Sequence, residues 1–286
     1  MLLTKEHKHL TAFYYIMGGV VPQKNTMFVT AFRDIGRGSW KHYQRPNSEY
    51  INYFLLMAEN IKHPLIVYLE KPLLEDLEVR LVHKKNIIFK PIDSVKTFYD
   101  THIEKERTIM NSGTYTSLVP ERRRINPEHC VPEYTLMMHS KVNFLAAARA
   151  QYFCDYGYFA WIDFGHVREL GTIPGVINKN LLGDKIIYRI SNLPPALRPT
   201  AKMMLASDKI YLSGSSFVVP SELVLRFEEL WSKKLDEFQT TGVCDDDQNL
   251  ALQIYYDNPT MFQLCHIDVS FGLYSKYLNS DIGVAH

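Results

Sequence analysis

The sequence lacks the usual marks of a secreted, metal-stapled or nucleic-acid-coating protein. Its four cysteines, Cys130, Cys154, Cys244 and Cys265, form no CxxC pair. No His/Cys cluster has zinc spacing. Reduced thiols in an intracellular, cytoplasmic setting are the expectation. A formal net charge of +1 provides no global field toward nucleic acid or anionic lipid. Internal repeats and low-complexity linkers are absent. The first 21 residues carry a basic patch and an apolar run broken by Thr, Tyr and Gly. That run is too short to span a bilayer and lacks a convincing signal-peptide cleavage site. It is expected to pack on the domain as a helix or extended segment. Neither a P-loop nor a GxGxxG fingerprint occurs.

What is present suits a large core. With 286 residues, 46% of them hydrophobic, the chain fits one α/β domain or two closely packed halves. The most informative stretch is Tyr158-Phe159-Ala160-Trp161-Ile162-Asp163-Phe164-Gly165-His166. An apolar run that ends in a carboxylate and a glycine reads as a buried strand delivering an acid to a sheet edge. In open α/β sheets that edge is where ligands bind. A turn role for Asp-x-Gly is the plainer alternative.

The flanking segments predict a mostly parallel sheet. Thr26 to Phe32, Leu65 to Leu69 and Asn86 to Ile92 read as strands. A helix after Pro46, with Tyr50, Tyr53, Phe54, Met57 and Ile61 on one face, makes a βαβ unit. Arg33 to Trp40 is a loop in which Arg37 sits between Gly36 and Gly38, a possible backbone cradle for an anion. Ser94 to about Met110 reads as helix, and Asn111 to Pro132 as loop. Arg122-Arg123-Arg124 reads as a solvated face or, less simply, a phosphate contact. Ser140 reads as the cap of a helix whose first turn holds Lys141. A cation there opposes the helix dipole, which a nearby phosphate would explain. Lys185 to Ile190 is a further strand, and Asp208 to Val219 reads as two short strands around Gly214. Val224, Phe227, Trp231, Leu235 and Phe238 mark one face of a long helix.

Asp245-Asp246-Asp247-Gln248 opens the last clear helix. One Asp suffices as cap. Three adjacent carboxylates call for a cation, a proton or a substrate hydroxyl as well. His266, in Cys265-His266-Ile267-Asp268, and His166 are candidate metal ligands or structural pairs.

Three segments together resemble the HtrL/YibB family, whose members are similar to GT-A nucleotide-sugar glycosyltransferases. They are Val29 to Trp40 (VTAFRDIGRGSW), Tyr158 to Gly165 (YFAWIDFG) and Asp245 to Leu264 (DDDQNLALQIYYDNPTMFQL). The resemblance implies an α/β, GT-A-like, mostly parallel sheet flanked by helices, with a mixed C-terminal portion. A nucleotide-sugar-binding half would span about 25–165 and an acceptor-side half about 166–286. It implies that Thr30, Ala31, Phe32, Arg37, Lys141, Asp163 and Gly214 bind the nucleotide sugar, and that Asp246 or Asp247 serves the acceptor hydroxyl. Mn²⁺ or Mg²⁺ would be held by Asp163 with His266, or alternatively His166. The family's acidic motif is usually DxD; here Gly165 replaces the second acid. The implied activity is glycosyl transfer from a UDP- or GDP-linked sugar to a glycan or other hydroxyl, with no nucleic-acid partner. A non-catalytic carbohydrate- or partner-binding module and a sugar nucleotidyltransferase are the alternatives. A kinase reading of Asp-Phe-Gly fails for want of a glycine loop, a VAIK-like lysine and an HRD-like loop.

Overall fold

The computed structural model describes residues 25–173 and 182–266; the expected N-terminal packing segment lies outside them. Seven strands form one sheet: β1 (Thr26–Phe32), β2 (Leu65–Leu69), β3 (Ile87–Pro91), β4 (Tyr158–Ile162), β5 (Ile186–Ile190), β6 (Leu212–Pro220) and β7 (Phe262–His266). Their order is β3-β2-β1-β4-β6-β5-β7. Only β6 runs against its neighbours, pairing antiparallel with β4 and β5. The other four pairings are parallel. The carboxyl ends of β1, β4, β5 and β7 therefore share one edge of the sheet.

The continuous apolar runs of β2 and β4 are fully buried, because helices cover both faces. The chain order of the helices is α1 (Asn47–Asn60), α2 (Lys71–Arg80), α3 (Phe98–Met110), α4 (Gly113–Leu118), α5 (Pro127–Cys130), α6 (Pro132–His139), α7 (Lys141–Tyr152), α8 (Ala201–Leu205), α9 (Val224–Thr240) and α10 (Asp247–Asp257). Phe54 and Met57 of α1 and Leu77 of α2 pack on Phe28 and Val67. On the other face, Phe144 of α7 and Trp231 of α9 pack on Met27, Val29 and Trp161. The five apolar positions of α9 are all buried, as their spacing requires. No helix of the described residues is long and apolar enough to cross a membrane.

Strand order places the site. From β1 the chain moves outward through β2 to β3, then returns to lay β4 on the other side of β1. Such a reversal opens a crevice at the carboxyl ends of the two strands.

Several expectations are corrected. The Asp208–Val219 region carries one strand, not two, because β6 first pairs with β5 and then continues beside β4. Ser140 is not an extended N-cap. It is helical (φ −68°), and its hydroxyl donates to Leu136 O at 2.7 Å while accepting from Tyr99 N at 3.2 Å. The 111–132 stretch contains α4 and α5 rather than only loop. Helix α2 was not anticipated; its buried contact is limited to Leu74 and Leu77, too few for a clear stripe. Of the three arginines, Arg122 and Arg124 are exposed, as a solvated face requires, and Arg123 alone departs from that expectation. Arg123 is buried and donates to Met204 O and Leu205 O at the end of α8, while Arg122 pairs with Asp208.

Candidate functional site

The crevice between β1 and β4 widens into a cleft of about 650 Å³. Ala31 and Phe32 line it from β1, Trp161 from β4, and Asp163 from the turn that follows β4. Phe164 anchors the turn, stacked on Phe54 at 4.3 Å and Phe32 at 4.8 Å. With Phe164 buried, the neighbouring Asp163 is left at the mouth, its side chain 32% exposed. Asp163 N donates to Ser215 O, and Asp163 O accepts from His166 N, both at 2.9 Å. The turn is thus fixed at both main-chain groups.

Beneath Asp163 lies a buried ion cluster. Lys141 Nζ is 3.0 Å from Asp163 Oδ1 and 2.7 Å from Asp247 Oδ2, and donates to Gly214 O at 2.9 Å. Trp161 Nε1 also donates to Asp163 Oδ1, at 2.7 Å. The Trp161 ring centroid is 5.8 Å from Nζ, within cation–π range. Burial alone would push the Lys141 ammonium toward neutrality, but Asp163 and then Asp247 hold it well above the ordinary lysine range. Asp247 is raised by burial and partly brought back by Lys141. Gly214 is required by close approach: a Cβ there would sit 2.8 Å from Asp247 Cγ. The first turn of α7 thus tolerates a lysine because two carboxylates neutralise it.

The next acids hydrogen-bond to the start of α10. Asp246 caps α10, accepting from Gln248 N at 3.1 Å and Asn249 N at 3.4 Å. Burial, then Asp245 and Asp247, raise it far above the usual carboxylate range. Burial pushes Asp245 up to about 6; its carboxylate accepts from Asn249 Nδ2 at 2.8 Å.

Basic groups dominate the cleft walls. Arg33, Arg37, Arg45, Arg168 and Arg189 line it, against the carboxylates of Asp163 and Glu169. Arg37 Nη1 donates to Tyr50 OH at 2.6 Å, and Arg37 Nε donates to Tyr43 O at 3.0 Å. Its guanidinium carbon lies 5.4 Å from the Trp40 ring centroid and 5.8 Å from that of Tyr134. Arg33 pairs with Asp93 at 3.2 Å and Arg45 with Glu49 at 3.3 Å.

The expected site residues thus fall into three groups. Ala31, Phe32, Arg37, Asp163 and His166 line the cleft. Lys141, Gly214 and Asp247 form the cluster below, with Asp246 beside it. Thr30 and His266 stand apart. Thr30 is fully buried on the α1 face of β1, following the strand alternation of Phe28 and Phe32. His266 ends β7 opposite Ile190, on the same sheet edge as Asp163 but three strand spacings away, roughly 14 Å. Tyr50, Tyr134, Arg45, Arg168 and Arg189 were not foreseen as site residues. No local motif marks them, since four separate segments of the chain bring them together.

The residues present do not fit a resident divalent cation. Asp163 Oδ1 already accepts from an ammonium and an indole. Among the described residues no three His, Cys, Asp or Glu side chains converge. The position of the missing second acid is filled: a Cβ on Gly165 would lie 2.7 Å from Tyr50 Cδ1. That same Tyr50 holds Arg37. A hard cation favours several carboxylate oxygens, whereas this cleft sets only Asp163 and Glu169 against five arginines.

Comparison with known proteins identifies relatives at two levels. By chain course, the molecule has a distant similarity to mouse xyloside xylosyltransferase 1 (TM-score 0.42, 11% identity, 84% of this chain and 85% of that one). A second is 4-diphosphocytidyl-2C-methyl-D-erythritolsynthase from Anaerococcus prevotii DSM 20548 (TM-score 0.39, 11% identity, 91% and 92%). By sequence, it is 23% identical over 275 residues to Protein HtrL of Escherichia coli (strain K12), covering 91% of this chain and 95% of that protein. Residues 24–276 match the family described as "Bacterial protein of unknown function (HtrL_YibB)". The chain, with its arginine-lined cleft at the β1–β4 reversal, belongs to the HtrL/YibB family.

Proposed function

We propose that this protein is a GT-A-like glycosyltransferase that moves a sugar from a nucleoside diphosphate sugar to a hydroxyl acceptor. The observation that carries this reading is the cleft at the strand-order reversal, where five arginines outnumber the two lining carboxylates, Asp163 and Glu169. A leaving diphosphate develops negative charge, and preorganised cations stabilise it most in a partly dehydrated site. Arg37, oriented by Tyr50 and Tyr43, is assigned to that group. Tyr50 and Tyr134 offer aromatic faces to the base or sugar. Asp163, held from below by Lys141 and Trp161, accepts a hydroxyl of the donor. Lys141 and Asp247 act as positioning residues, because the Asp247 side chain is only 5% exposed and its Oδ2 is engaged by the ammonium. Asp246 belongs to the same support through its cap.

The test is release of nucleoside diphosphate from UDP- and GDP-sugars, with ligand-observed NMR for binding. Binding and slow release are expected, with both lost in Arg37→Met and release lost in Asp163→Ala. If no nucleotide sugar binds, the reading is wrong. A non-catalytic carbohydrate-binding role is favoured by one feature, the withdrawal of Asp247 from the cleft, and predicts binding without release. A nucleotidyltransferase would release pyrophosphate from a nucleoside triphosphate instead.

A further inference from the structure

A second feature of the cleft is not used by the donor. On β5, Ile187 packs on the α1 side of the sheet and Tyr188 on the other. Alternation then places Arg189 on the α1 side, where a fifth apolar residue of β5 would extend the core. Arg189 instead lines the cleft. Its Nε is buried without a hydrogen-bond partner, and among the described residues it forms no ion pair. Arg33 shares the orphaned Nε but has Asp93 as its ion-pair partner; among the described residues Arg189 has no such compensation. A buried, unsatisfied donor on a charged group is costly unless something occupies it.

The backbone opposite is arranged around this side chain. β5 and β6 pair regularly at Tyr188↔Phe217, but the next pairing is Ile190↔Leu212. The four residues Ser213 to Ser216 are thereby bulged away from β5. Such irregularities adjoin sites and re-aim side chains. Here the bulge is locked, not slack. Gly214 O is held by Lys141, Ser215 O by Asp163 N, and the Ser213 and Ser215 hydroxyls bond each other at 3.0 Å. β5 lies two strands beyond β4, roughly 10 Å across the sheet, so Arg189 stands on the far side of Asp163 from Arg37.

We infer that Arg189 anchors a second oxyanion, a carboxylate or phosphate carried by the acceptor sugar, so that the acceptor is an anionic glycan. This rests on the sugar-transfer reading, in which Arg37 serves the donor diphosphate. A guanidinium suits either oxyanion, because its parallel N–H groups match two oxygens at once.

The experiment uses the full chain and two matched pairs of probes: methyl glucuronide against methyl glucoside, and glucose 6-phosphate against glucose. Dissociation constants are measured with and without saturating UDP or GDP. At least one charged member should bind about tenfold tighter than its neutral partner, the gain of a charge-assisted contact. The pair that responds identifies carboxylate or phosphate. The preference should persist with nucleotide bound, vanish in Arg189→Met and return in part in Arg189→Lys. Methionine keeps the apolar stem, and lysine keeps the charge, so a folding defect is recognised by failure of both. No preference in either pair overturns the inference, as does a preference that nucleotide competes away or that survives Arg189→Met. Absence of any nucleotide binding, with an Arg189-dependent preference intact, would remove the donor reading and leave the anion site standing.

Discussion

Replacing Lys141 by Met tests the buried cluster most sharply. The Lys141 side chain is 2% exposed, and its ammonium contacts two carboxylates and a carbonyl within 3.0 Å. Methionine fills most of the volume, so packing loss is small and the electrostatic term dominates. Removing one partner of a buried pair costs about 3–5 kcal/mol, because the other is left uncompensated. Asp247 is the orphan here, as Asp163 reaches solvent. At about 2–4 °C per kcal/mol for a chain of this size, Tm should fall by roughly 10 °C. The loss should shrink at acidic pH. Without Lys141 the folded-state pKa of Asp247 rises further above its unfolded value, so the penalty grows as pH climbs through that interval. Adding Asp247→Asn should recover part of the loss, with a coupling energy of about 1.5–3 kcal/mol in a double-mutant cycle. The assay is chemical denaturation of the four proteins at pH 5 and pH 8. A loss under about 1 kcal/mol, or strict additivity, would refute the view that the lysine ties the two acid motifs together.

Three further outcomes follow from specific contacts. Gly165→Ala pushes on Tyr50 and so misplaces Arg37; nucleotide affinity, measured by calorimetry, should drop about tenfold, near the value of one charge-assisted hydrogen bond, while Tm changes little. Gly214→Ala collides with Asp247 and should cost about 1–3 kcal/mol as an overpacked core, read as a lower Tm; a neutral result would mean the strand moves freely there. Burial raises Glu106 from 4.5 to about 7, so the folded state holds its proton more tightly and stability declines as pH rises between those values. Glu106→Gln should therefore be more stable than the parent at pH 8, by about 3 kcal/mol at 1.36 kcal/mol per unit, and no more stable at pH 4.5; an equal difference at both would discard that assignment.

The sheet was largely legible because its strands are continuous apolar runs. Thr26 to Phe32, Leu65 to Leu69 and Tyr158 to Ile162 need no partner to be recognised. Depth explains why Thr30 stands apart: it shares the face of the cleft residue Phe32 but lies two residues further inside β1, fully buried. The site was legible where chemistry is local, as at Asp163, and illegible where it depends on register. Nothing near Arg189 announces that β6 bulges away from it. Lys141 drew attention through a conflict with the helix dipole. Its resolution needed Asp247, 106 residues downstream, which only the folded chain brings close. The missing second acid has a similar cause: the space at Gly165 belongs to Tyr50, from another segment.

The central claim is that fixed arginines and Asp163 make the cleft a nucleoside diphosphate sugar site. Calorimetric titration with UDP- and GDP-sugars in a chelating buffer tests it directly. The account predicts saturable one-to-one binding of at least one of these donors without added metal, lost in Arg37→Met. Binding that appears only when Mn²⁺ or Mg²⁺ is supplied, or binding unaffected by Arg37→Met, would contradict it.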